Sequence, residues 1–247
     1  MKDLQSNPFI NSGFEKSKSN YAEDTMTISS TIIKTLVLIA VLFISLMLTW
    51  KVLSNGIKNF NSLLVISSIG AFILAIITNF VPKIAPITSI FYAVFEGVLL
   101  GSLSRLMEFR FPGVVLSAIC LTIAVSISTL LIYRRTPTLA GKVRKGVVIS
   151  TVSIALIYLI SFMLSLFGVN IPIFGSGFLG IGFSVFVVAI ASISLILDYD
   201  FILRAAQYGS PKYMEWYAGF GLLVTLIWLY VEILELLVKL LQNNSEK

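Results

Sequence analysis

Seven long apolar runs, at roughly 30–51, 62–81, 86–107, 113–133, 146–168, 177–201 and 215–241, decide what this chain can become. About 20 mostly apolar residues cross the hydrocarbon core of a bilayer as a helix. The interruptions are short: "KNFN", "PKIAP", "EFRFP", "RRTPTLAGKVRK", "NIPIFGSG" and "RAAQYGSPKYM". Most of them hold Pro or Gly, where a helix must end, and breaks this short return the chain as an antiparallel neighbour. The expectation is an all-α fold: one seven-helix membrane bundle over 28–247, preceded by a polar tail over 1–27.

Composition narrows the chemistry. Of the 247 residues 57% are hydrophobic and 12% charged, against about 25% charged in soluble domains. There is no histidine, which removes zinc, haem and serine–histidine chemistry. The single Cys120 sits within "LSAICLTIAV", which excludes a disulfide framework and reads as helix packing. Neither a phosphate-cradling loop nor a dinucleotide fingerprint appears in context, so no cofactor is expected. The glycines from Gly175 to Gly182 straddle the start of a span and read as a turn with tight helix packing. The first 27 residues lack the short apolar stretch after a basic start that marks a cleavable signal, and read as a cytoplasmic tail.

Lys and Arg in short loops orient a membrane protein. Lys2, Lys16, Lys18, Lys83, Arg134, Arg135, Lys142, Arg144, Lys145, Arg204 and Lys212 fall on one side, and Lys34 at the entrance of the first span joins them. Lys51, Lys58, Arg105, Arg110, Lys239 and Lys247 fall on the other. The amino terminus is therefore expected in the cytoplasm and the carboxyl terminus outside. This bias accounts for the net charge of +6 without nucleic-acid binding; contact with anionic lipid heads is the expected use of the basic loop.

Acids inside such runs carry the functional reading. A charge at a helix centre costs roughly 2.5–3.5 kcal/mol by insertion scales, so it faces protein or water. Glu96 lies midway through the third run, followed by Gly97 and Gly101, a G-x-x-x-G pair that admits a neighbouring helix. Asp198 and Asp200 end the sixth run, and Glu232, with Glu235 behind it, lies in the second half of the seventh. Asp200 has Arg204 four residues on, and Glu235 has Lys239, both favourable ion-pair spacings that suit interfacial residues. Asp198 and Asp200 stand about 200° apart on a helix, so they do not share one interior. Spacing favours Asp198 as the buried acid.

Seven spans, "YAVFEGVLLGSLS", "ILDYDFI" and "LYVEIL" together resemble the Bax-inhibitor family, and the opening "SNPFI" is similar to its bacterial YccA-like branch. The resemblance implies a bundle with span seven at its centre, in a bacterial plasma membrane, and a pH-sensitive calcium leak. Two carboxyls, one from span six and one from span seven, would share a hydrogen bond and sense protons. Here Asp198 or Asp200 supplies the first and Glu232 the second, with Glu96 as a further candidate; the Tyr-Asp pair favours Asp200, so both aspartates stay open. Asp198, Asp200 and Glu232 are also the expected calcium ligands, since calcium prefers oxygen.

Two other classes compete. The resemblance to the YccA-like branch also implies a non-transporting regulator of stress or quality-control proteolysis, which would use the polar tail to contact a membrane protease or another membrane protein. An intramembrane aspartyl protease is suggested by Tyr199–Asp200 and "GFGL" at Gly219–Leu222, but Leu222 stands where a second aspartate is required. No enzymatic activity is expected.

Overall fold

The computed structural model describes residues 25–54, 60–169 and 171–245. Each apolar run forms a helix: α1 Ile28–Ser54, α2 Phe60–Phe80, α3 Ala85–Arg110, α4 Val114–Arg135, α5 Thr138–Leu166, α6 Phe178–Gln207 and α7 Met214–Ser245. All seven are long and apolar enough to cross a membrane. Among the described residues there is no strand, only one isolated bridge between Thr25 and Pro211. The tail readings on residues 1–24, with Lys2, Lys16, Lys18 and "SNPFI", lie outside the described residues, as do Lys58 and Lys247.

The connections follow local chemistry. Pro82 opens a single 3-10 turn, Pro82–Ile84, that leads into α3. Gly113, with φ 86°, turns the chain into α4, where Glu108 accepts from the N–H groups of Gly113 (2.7 Å) and Val115 (3.1 Å) and so caps that helix. Gly209, with φ 64°, ends α6: its N–H reaches Ala206 O while Ser210 N–H reaches Ala205 O, a paired closure that needs a left-handed residue. One boundary differs from expectation. The break expected at 134–145 shrinks to Thr136 and Pro137, and α5 starts at Thr138. "TLAGKVRK" is too polar for hydrocarbon, but Leu, Ala, Lys and Arg are good helix formers; the helix extends past the apolar segment.

Hydrocarbon provides no drive to bury apolar side chains, so these helices associate through close packing and a few hydrogen bonds. α3 meets α1 at Gly97 and Gly101, as the G-x-x-x-G pair predicted. A Cβ at Gly97 would stand 2.5 Å from Leu42 O, and one at Gly101 2.8 Å from Leu46 O. Ser45 Oγ, beside Gly97, donates to Val94 O at 2.8 Å. Most other hydroxyls return to a carbonyl one turn back, as Thr49 does to Ser45 O and Thr122 to Ala118 O, which removes an exposed polar group from lipid. α7 occupies the centre: it packs on α1, α3, α4 and α6 and reaches α2 and α5 through Tyr217–Asn79 and Tyr158–Glu232 hydrogen bonds. Its Leu223, Leu229 and Leu234 are among the most buried side chains. α5, at the edge, packs mainly on α6 and turns most of its surface to lipid. Cys120, read as a packing residue, faces outward from α4 instead.

Candidate functional site

α1, α3, α5 and α7 begin on one face of the bundle, here the amino-terminal face, while α2, α4 and α6 end there. From this face a groove of 520 Å3 runs between α2, α6 and α7. Asn79, Tyr217 and Thr225 line it, and Asp198 lies in its wall. The α7 side chain that interacts with Asp198 is Thr225. One oxygen of Asp198, Oδ2, is buried without a protein hydrogen-bond partner.

A second groove, of 680 Å3, enters from the opposite face between α5 and the α5–α6 connection, lined by Tyr158, Ser161, Ser165 and Phe174. Tyr158 joins it to Glu232: the phenol donates to Glu232 Oε1 at 2.7 Å, and Trp228 Nε1 donates to the same oxygen at 2.9 Å. Glu232 Oε2 is buried and has no protein partner. The residue is 3% exposed, so it lies inside the bundle.

Asp200 and Glu96 differ from these two. Asp200 Oδ2 pairs with Arg204 Nε at 2.7 Å, and Oδ1 accepts from Tyr133 at 3.3 Å. Arg204 is half exposed, so the ion pair that the spacing suggested forms at the surface of the bundle. Glu96 Oε1 accepts from Tyr92 one turn earlier at 3.2 Å, while Oε2 is buried without a protein partner. The Tyr92 ring stands edge-on to Phe220 of α7, centroids 5.0 Å apart, so this face of α3 addresses the central helix.

The acids are distributed rather than clustered. Glu232 is seven residues beyond Thr225 on α7, about 10 Å along the axis, and its hydrogen bonds go to Tyr158 and Trp228. The hydrogen bond that the resemblance implies between a span-six aspartate and Glu232 is not formed in this conformation. Among the described residues no three acidic or cysteine side chains are placed to hold a metal ion, so Asp198, Asp200 and Glu232 do not form one calcium cage. Leu222, opposite the Tyr199–Asp200 pair in the protease reading, lines an apolar surface with Tyr199.

One charged group was missed by the reading of the sequence, and a second lies deeper in the protein than it suggested. Glu215, in the first turn of α7, is fully buried. Its Oε1 accepts from Thr27 N–H at 2.9 Å, and its Oε2 accepts from Ser30 Oγ at 2.8 Å and pairs with Lys34 Nζ. It thereby caps α1 from the other end of the sequence. Glu215 was passed over as the polar edge of a span; Lys34 one turn into the first run was the signal for a partner. Lys239, expected with Glu235 at the interface, is 4% exposed: Nζ meets Glu235 Oε1 at 2.7 Å and Ser184 Oγ at 2.8 Å and lies 5.9 Å over the Phe174 ring. The aromatic wall of the far groove covers it.

Six spanning helices around a central seventh, with carboxyls held inside, define a multi-pass membrane protein. The sequence model of the Bax inhibitor 1 like family matches residues 7–242, and the chain belongs to that family. No curated protein and no solved structure matches the chain.

Proposed function

We propose that the protein is a proton-sensitive cation leak, passing calcium or other hard cations, in the plasma membrane of a bacterium with its amino terminus in the cytoplasm. One observation carries this reading: two grooves approach the bundle from opposite faces, and each leads to a carboxyl, Asp198 or Glu232, with a buried oxygen that no protein group satisfies. Such an oxygen takes a proton or a cation. Between the two levels, Ala191, Leu195 and Leu229 are fully buried and close the path over about 10 Å. Conduction requires α6 and α7 to part along this stretch. A proton on either carboxyl removes the charge that attracts the cation, so flux rises as pH rises. The chain does no bond chemistry in this reading, and the basic first turns of α5 sit on the cytoplasmic side.

The test uses the full chain in liposomes holding a calcium-sensitive dye, across pH 5 to 8. Expected is a flux that increases with pH, loses its pH dependence in Asp198→Asn and in Glu232→Gln, and keeps it in Asp200→Asn, whose carboxylate is already neutralised by Arg204. Absence of flux from the intact protein at every pH refutes the leak and leaves the non-transporting regulator, with its membrane-protein partner, as the reading to pursue.

A further inference from the structure

Between α1 and α4 the central helix is open to the membrane. Both helices pack on α7, and a groove of 510 Å3 lies between them. Leu36 and Phe43 of α1 form one wall, Ile123 and Ile127 of α4 the other, and Leu226 and Ile227 of α7 the floor. The polar side chains in its lining are satisfied within the protein. Thr35 donates to Thr31 O, Thr122 to Ala118 O, Ser126 to Thr122 O and Tyr199 to Ser126 O, and the Tyr230 hydroxyl bonds Ser104. Water entering here finds few partners among mostly apolar side chains, whereas a stable water needs two to four. The occupant is hydrocarbon.

Its dimensions specify which hydrocarbon. From Ile32 to Leu46 the groove follows α1 for 14 residues, about 21 Å, comparable with the roughly 15 Å depth of one leaflet's hydrocarbon. Spread over that length, 510 Å3 makes an elongated slot rather than a compact chamber, the form of an extended chain. An acyl chain suits this form, and the basic groups at its amino-terminal end suit an anionic headgroup. The groove stripe on α4, from Ile119 through Ile123, Ile127 and Leu130, continues one turn later at the exposed Arg134 on the amino-terminal face. Lys142, Arg144 and Lys145, in the first turns of α5, lie on the same face.

We propose that this groove binds one acyl chain of an anionic phospholipid from the leaflet at the amino-terminal face, with its phosphate at Arg134. The inference is independent of ion conduction. The test is native mass spectrometry of the full chain released from detergent after exposure to equimolar phosphatidylglycerol and phosphatidylcholine. Expected is one retained phosphatidylglycerol in preference to phosphatidylcholine. Arg134→Gln, at an exposed site, reduces that preference about fivefold, the share of one basic residue at an anionic surface, without lowering total lipid retention. Ile127→Trp fills the groove and lowers retention of either lipid at least tenfold; Ile123→Trp, at a half-exposed position, repeats the result if the first variant does not fold. Equal retention of the two lipids by the intact protein, unchanged retention in both tryptophan variants, or a protein dimer in place of the lipid adduct overturns the proposal.

Discussion

Removing one member of the Lys34–Glu215 pair is expected to weaken the bundle more than any other single charge change described here. Glu215 is fully buried and the Lys34 side chain is 17% exposed, so the carboxylate above all has no water to fall back on when its partner is lost. Breaking a buried pair from one side costs about 3–5 kcal/mol. At about 2–4 °C per kcal/mol for a chain of this size, Lys34→Met or Glu215→Met should lower the unfolding midpoint by roughly 6–20 °C. The double variant removes both charges together and should recover much of the loss, because no lone charge remains; Thr27 N–H and Ser30 Oγ, which donate to Glu215, account for the part not recovered. Arg204→Gln serves as the comparison: its partner pair with Asp200 is half exposed on the arginine side, and such pairs contribute about 0–1 kcal/mol. The assay is thermal unfolding in lipid nanodiscs followed by tryptophan fluorescence, since Lys34 Nζ lies 5.6 Å over the Trp216 ring. Single variants within 4 °C of the parent, or a double variant whose loss equals the sum of the two singles, would refute the argument.

Three further outcomes follow from contacts already described. Gly97→Ala should cost about 1–3 kcal/mol by forcing α1 away from α3, because its Cβ would meet Leu42 O at 2.5 Å; Gly141→Ala, with open space around it, should leave the unfolding midpoint unchanged or raise it. Tyr158→Phe withdraws one of the two donors to Glu232 Oε1 and should cost about 1 kcal/mol, read as a midpoint shift, while also altering the pH profile of calcium flux. Glu108→Ala strips the cap from α4 and should cost about 1 kcal/mol, visible as faster hydrogen exchange at the start of that helix.

The spans were readable because each consists of one long apolar segment, and lipid makes length and composition decisive. The α1–α3 contact was readable for a similar local reason: two glycines four apart beside Glu96. What required the structure was everything set by rotation and axial register between helices. Whether Asp198 meets Glu232 depends on how α6 slides along α7, and a shift of two turns places Thr225 there instead. Lys239 shows the same gap in another form. Its spacing to Glu235 is legible, but its burial comes from Phe174, which arrives on the α5–α6 connection, and from Ser184 on α6. Glu215 was hidden because its partners, Thr27, Ser30 and Lys34, lie more than 180 residues away.

That separation has a consequence for synthesis at the ribosome. The segment that starts α1 is made well before α7, yet the carboxylate that completes its opening turn lies more than 180 residues further along the chain. Until α7 enters the bilayer, Thr27, Ser30 and Lys34 wait without their acceptor. The start of α1 is therefore completed only when α7 arrives, and a chain interrupted before α7 leaves that helix start unsatisfied.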